Sequence, residues 1–102
     1  MKNNNELAYA VEAVHWADER KVASVRWHSF QYVDGQLVKG QSVVSDMGEV
    51  AVVASKGHDL YLCYHGAVGR RIDLVRLADG SRTLVDCEVG DPAQTLRTLP
   101  QF

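Results

Sequence analysis

Two short runs of similar make-up, Val14-His15-Trp16 and Arg26-Trp27-His28, flank the polar stretch Asp18-Glu19-Arg20-Lys21. Together they hold both tryptophans and half of the histidines within fifteen residues. Apolar residues alternate imperfectly from Ala8 to Trp16, and β-branched and aromatic residues alternate again from Val22 to Val33. Period-two alternation on both sides of a polar turn is the pattern of a β-hairpin, and it commits the chain to a sheet with one apolar face. With Ala17 facing Val22, Val14 lies opposite Val25, Trp16 opposite Ala23, and Trp27 shares their face. This hairpin anchors a fold and defines no chemistry.

The 102 residues suit one domain, read as 7–102, with the polar start Met1 to Glu6 as a disordered tail. At 46% hydrophobic and 24% charged the chain has the make-up of an ordinary globular protein, with enough apolar residues for one core. Its net charge is -2 and no Lys/Arg run exceeds two, which argues against a nucleic-acid partner. The start lacks a basic segment followed by an apolar stretch, and no window is long enough to span a bilayer, so a cytoplasmic protein without membrane contact is expected.

Asp34-Gly35 is the preferred dipeptide of a type I′ turn and predicts a short third strand at Gln36 to Val38, with Lys39-Gly40-Gln41 ending the meander. Ser45 can cap a helix in which Met47, Val50, Ala51 and Ala54 share a buried face and Gly57 terminates it. Gly48 costs such a helix about 1 kcal/mol, and four valines between Val44 and Val53 suit a strand, so 45–56 stays open between helix and buried strand. Asp59 to Tyr64 reads as a strand, His65 to Gly69 as a loop and Arg70 to Leu77 as a strand. Asp79-Gly80 then turns the chain into Arg82 to Val89. Pairing Leu77 with Arg82 sets Leu74 against Val85, Ile72 against Cys87, Arg71 against Glu88 and Asp73 against Asp86. Asp91-Pro92 starts one helical turn before Leu99-Pro100. The expected fold is α+β: an antiparallel sheet of five or six strands in the order β-β-β-α-β-β-β, with one central helix packed on one face and a short C-terminal helical turn.

The Val-rich first hairpin, the Glu-Val-containing helix ending in glycine and the closing segment Asp91 to Pro100, of the form Asp-x-x-x-x-Leu-x-x-Leu-Pro, resemble a family of small, mostly bacterial proteins. That family is known as a domain of unknown function, serial three-eight-nine-two. The resemblance runs from about Tyr9 to Pro100, and the closing segment departs from the family's Asp-Asn-Leu start by having Asp91-Pro92. It implies a compact α+β domain and carries no activity or catalytic residue with it.

His15 and His28 are the first metal candidates, but His28 lies four residues along its strand from the partner of His15, about 13 Å away. No shared ion is expected, and both histidines are read as polar groups on the face opposite the tryptophans. His65, Gly66, Gly69, Arg70 and Arg71 form the best ligand candidate, because glycines let backbone N–H groups approach an anion and the arginines supply forked donors. The same residues also suit a plain strand connection with surface arginines. Asp73, Asp86 and Glu88 could gather as an acidic cluster, or stand as outward strand charges beside Arg71 and Arg76. Cys63 and Cys87 lack the close spacing of zinc or redox motifs and read as buried thiols rather than a disulfide. No serine or cysteine sits in a nucleophile motif, so no catalytic residue and no cofactor is assigned. Alternation turns some aromatic residues outward, and Phe30, Tyr32 and Tyr61 are the interface candidates. The functional expectation is a non-catalytic interaction module, binding a second copy or another protein through an open sheet face. The alternative is a small-ligand sensor holding an anionic metabolite at Gly66 to Arg71.

Overall fold

The first hairpin forms where the alternation places it, with β1 (Ala8–Trp16) antiparallel to β2 (Val22–Val33). Val14 stands opposite Val25 and His15 opposite Ser24 as the pattern predicts, while an irregularity next to Trp16 sets it against Val22 instead of Ala23. A second register shift falls between Val11 and Ala13, leaving Glu12 as an extra residue on β1. The computed structural model describes residues 7–64, 66–87 and 95–102. The predicted tail at 1–6 and the Asp91-Pro92 helix start lie outside them.

After the Asp34-Gly35 turn come β3 (Gln36–Lys39) and β4 (Val43–Asp46), both antiparallel to β2 on the same side. Lys39-Gly40-Gln41 therefore interrupts an edge strand rather than ending it. Gly40 N–H donates to Ser29 O at 2.8 Å, and a Cβ at Gly40 would meet Ser29 Oγ, so a larger residue there would have to turn the Ser29 hydroxyl aside.

Helix α1 (Met47–Ser55) resolves the choice between helix and strand. Its N-cap is Asp46, whose carboxylate accepts from Glu49 N–H at 2.9 Å, and Gly57 takes the left-handed conformation just past its end, at φ 89°. Ser45 does not cap the helix; its Oγ accepts from the Trp27 indole N–H at 2.9 Å, both groups being buried. The valine content that favoured a strand is accounted for on both sides of Asp46, since Val43 and Val44 are in β4 and Val50, Val52 and Val53 are in α1.

The chain continues through β5 (Leu60–Tyr64), β6 (Ala67–Arg76) and β7 (Arg82–Asp86) to a 3-10 turn at Leu96–Thr98. The result is one seven-stranded sheet in the order β3-β2-β1-β5-β6-β7, with β4 also on β2. The crossover through α1 brings β5 back parallel to β1, so the sheet is mixed rather than antiparallel throughout. The fold is α+β, with more strands than the alternation alone marks out.

One face of the sheet carries the core. Val11, Val14, Val25 and Trp27 from the first hairpin meet Leu60, Leu62, Ile72 and Leu84, and all are at most 3% exposed. The helix contributes Val50, with Met47, Val53 and Ala54 packed beside it, and Leu96 and Leu99 bring the C-terminal segment onto the same cluster. The other face carries a small cluster of Ala10, Phe30 and Cys63 with Tyr61 and Ala8 alongside.

Candidate functional site

The less covered face is built on two small residues of β1. Ala8 stands opposite Phe30 and Ala10 opposite His28, and neither alanine rises far from the sheet. The Phe30 ring reaches over to Tyr61 on β5, edge-on at 5.9 Å between centroids. Farther along, His28, Glu12 and Cys63 line a cavity of about 570 Å³, closed on one side by Lys39 and Ser42 of the edge strand and on another by the C-terminal residues Thr98 and Pro100.

The bulge at Glu12 sets the polar centre of this cavity. The Glu12 carboxylate accepts from His28 Nδ1 at 2.6 Å and from Ser42 Oγ at 2.5 Å, both at Oε2, tying β1, β2 and the interrupted edge strand together. Burial disfavours the Glu12 charge, but the hydrogen bonds from Ser42 and His28 outweigh it and hold the carboxyl below the usual carboxylate range, with the Arg26 charge acting in the same sense. A carboxylate only accepts, so the hydrogen sits on Nδ1 of His28. The His28 side chain is 7% exposed, and its Nε2 has no hydrogen-bond partner among the described residues. Lys39 Nζ donates to Gly66 O at 3.1 Å across the cavity. Burial pushes the Cys63 thiol up and the Glu12 charge adds to this, so Cys63 stays a protonated apolar-type side chain.

The remaining wall is a C-terminal strap. Tyr64 Oη donates to Thr95 O at 2.5 Å and accepts from Thr95 N–H at 2.8 Å. Past the end of β5 the strap takes the place beside β1, with Val14 N–H donating to Pro100 O at 2.9 Å and Phe102 N–H to Val14 O at 3.2 Å. Phe102 rests against His15, with the Arg26 guanidinium 5.5 Å from its ring centre.

The ligand candidates from the sequence are dispersed. His65 lies outside the described residues. Gly66 is in the turn at φ 79° and lines the cavity of Glu12 and His28. The loop read over 65–69 is a tight turn, because β6 starts at Ala67 and Ala67 pairs with Tyr64. Gly69 and Arg70 fall where the β5–β6 register shifts by one residue, so the glycine accommodates an irregularity within a strand. Arg71 stands opposite Tyr61, bonds Asp59 at 3.2 Å, and lines a separate cavity beneath α1.

The acidic cluster is not assembled either. β6 and β7 pair one residue out of the expected register, with Arg76 opposite Arg82, so Asp73 meets Val85 and Asp86 meets Ile72. Asp86 accepts from Leu96 N–H at 2.9 Å, Asp73 accepts from Cys87 Sγ at 3.0 Å, and Glu88 lies outside the described residues. Both cysteines are free thiols, and no group of three metal-ligating side chains forms among the described residues. Of the interface candidates, Phe30 is buried at 7% exposure, Tyr61 is half-buried and Tyr32 is open at 48%.

Sequence reasoning placed the β3 half of the edge strand but passed over β4. Leu37, Val38, Val43 and Val44 are 41 to 54% exposed, and Tyr32 lies opposite Leu37 at its far end. The signal was present in the valine pair 43–44, which was left between the meander ending at Gln41 and the segment read over 45–56. Family models, curated proteins and solved structures yield no match to this chain. No described helix is long and apolar enough to cross a membrane.

Proposed function

We propose that the protein is a non-catalytic interaction module whose partner is a second copy of the same chain, docked along the β3–β4 edge. The observation that carries this reading is the run of four exposed aliphatic side chains on a strand whose outer backbone groups face away from β2. An unpaired strand edge recruits another strand, and edges meant to stay alone carry lysine, proline or a covering element. The four residues of β4, Val-Val-Ser-Asp, contain neither lysine nor proline. The edge is also self-complementary. A two-fold axis perpendicular to the sheet makes two β4 strands antiparallel and sets a residue opposite its own copy, Val43 beside the partner's Val43 or Val44 beside the partner's Val44. Lys39 limits the pairing at its other end and favours this register over one centred on β3. Membership of the family that the sequence resembles and a cytoplasmic location belong to the same proposal.

Sedimentation equilibrium over a wide concentration range in reducing buffer tests the reading. The expected result is a reversible dimer, and the Val43→Lys/Val44→Lys chain is expected to sediment as a monomer with an unchanged circular dichroism spectrum. A wild-type chain that stays monomeric throughout overturns it.

A further inference from the structure

At the other end of the strand order from the β3–β4 edge, α1 leaves part of the core face uncovered. Between the helix and β6–β7 is a cavity of about 580 Å³, within the range of pockets for small molecules. It exists because α1 presents Gly48, Ala51 and Ser55 there, whose short side chains leave the space over Ile72 and Leu74 unfilled. Leu74 is therefore only half-buried although it packs on the core cluster, and Val52, which also lines the cavity, is 54% exposed.

Arg82 lines the same cavity and stands directly opposite Arg76 in the β6–β7 register. Like charges opposite one another on neighbouring strands are unfavourable. Both side chains are exposed, and neither guanidinium has an ion pair or hydrogen bond among the described residues. The carboxylates nearest in sequence are engaged elsewhere. Asp79 is bonded by Lys21 at 2.5 Å, and Asp73 accepts from Cys87 Sγ at 3.0 Å and lies 3.9 Å from Arg71, which also bonds Asp59. Asp73 is three residues from Arg76 along β6, so alternation sets it on the other face, whereas Arg76 and Arg82 continue the face of Leu74 and Leu84. The result is a pair of uncompensated positive charges beside an apolar hollow.

We infer that this cavity binds a small phosphate monoester with an apolar body, its phosphate held between Arg76 and Arg82 and its organic part resting on Leu74 and Val52. A phosphate monoester carries a charge of about −1.5 to −2 at neutral pH and presents three acceptor oxygens, which two forked guanidinium groups match in charge and in hydrogen-bond geometry. A sulfate ester of the same shape has a single charge and leaves one arginine unmatched. Inorganic phosphate satisfies the arginines and leaves the hollow empty.

Titration of the full chain with phenyl phosphate, followed by 1H–15N correlation spectra at constant ionic strength, tests this. The arginine Nε–H resonances of Arg76 and Arg82 and the backbone amides of Ala51 and Leu74 are expected to shift saturably. Phenyl sulfate and inorganic phosphate are expected to bind about tenfold more weakly, and the Arg76→Gln/Arg82→Gln chain to lose about a hundredfold in affinity for phenyl phosphate. Both arginines are exposed, so that chain is expected to keep its circular dichroism spectrum; should it fail to fold, the wild-type shifts still decide. No saturable shift with phenyl phosphate, or shifts confined to residues 66–71, overturns the inference. Phenyl sulfate binding as tightly removes the second charge from the recognition, inorganic phosphate binding as tightly removes the apolar hollow, and unchanged affinity in the folded glutamine chain removes the arginines; each of these overturns it as well.

Discussion

The two edges of the sheet are treated differently by the chain. Beside β7, the turn between β1 and β2 closes in: Val22 N–H donates to Thr83 Oγ1 at 3.0 Å, that hydroxyl donates to Arg20 O at 3.4 Å, and Lys21 bonds Asp79 at 2.5 Å. At its far end β7 also holds the C-terminal segment through Asp86 and Leu96. The β3–β4 edge has its attachments on the inward side, from Trp27 to Ser45 and from Ser42 to Glu12, and exposes its aliphatic side chains. On the proposed reading, side-chain hydrogen bonds tie β7 into the rest of the chain while the apolar β3–β4 edge is left for a partner.

The largest expected effect breaks this contrast directly. Lysines at Val43 and Val44 bring like charges together at the two-fold axis and are expected to weaken self-association by about a hundredfold or more. Lysine at Val85, an exposed aliphatic residue of β7, is the matched control and is expected to leave the association constant unchanged. Equal loss in both chains would erase the distinction between the edges. The next effect lies on the blunted side. Thr83 is 2% exposed, and Thr83→Val strands the buried Val22 N–H, for an expected cost of about 1–3 kcal/mol in urea unfolding. A loss within experimental error would mean that the hydroxyl does not close this edge.

Much of this architecture was legible because period-two alternation depends on residues close in sequence. The first hairpin, the α1 face with Met47, Val50, Ala51 and Ala54, and its stop at Gly57 all follow from local pattern. Register is harder, as the two Asp-Gly pairs show. Asp34 and Gly35 both have positive φ, at 52° and 78°, giving the two-residue type I′ turn that pairs Val33 with Gln36. At Asp79-Gly80 only the glycine has positive φ, and Leu77 N–H bonds Ser81 O at 2.7 Å, so the loop has three residues and every pair on β6–β7 moves by one. The same dipeptide supports both turns, and in the longer one Asp79 accepts from Ser81 N–H at 2.9 Å. The candidate site was less legible still. Alternation put His28 on the face away from the tryptophans, but its burial depends on the bulge at Glu12 and on the return of Ser42 from thirty residues away. Neither follows from a local pattern.

A smaller effect sharpens the picture of the open edge. Ser45→Ala removes the acceptor of the buried Trp27 N–H and is expected to destabilise the chain by about 1–2 kcal/mol. Because this bond lies on the inward side of β4, the association constant is expected to change less than in the double-lysine chain. A monomer produced by Ser45→Ala at full folding would instead make the strand's seating, rather than its apolar surface, the determinant of pairing.

The smallest effect belongs to the blunted edge and depends on pH. The hydrogen bond from Lys21, followed by those from Ser81, holds the Asp79 carboxyl well below the usual carboxylate range. A carboxyl whose folded pKa lies below its unfolded value, about 3.9, stabilises the fold above that value and loses the contribution as pH falls through the folded pKa. Asp79→Asn keeps an oxygen to accept from Ser81 and removes the charge. The melting temperature of the wild-type chain is therefore expected to exceed that of Asp79→Asn slightly at neutral pH, with the gap closing below about pH 4. Both partners are solvent-exposed, so added salt should close most of the same gap at neutral pH. A gap that persists in acid and in salt would assign the effect to the turn hydrogen bonds. The two hairpin ends would then be held by the shape of the Ala78-Asp79-Gly80 loop, and the ion pair to Lys21 would be a consequence of their meeting rather than its cause.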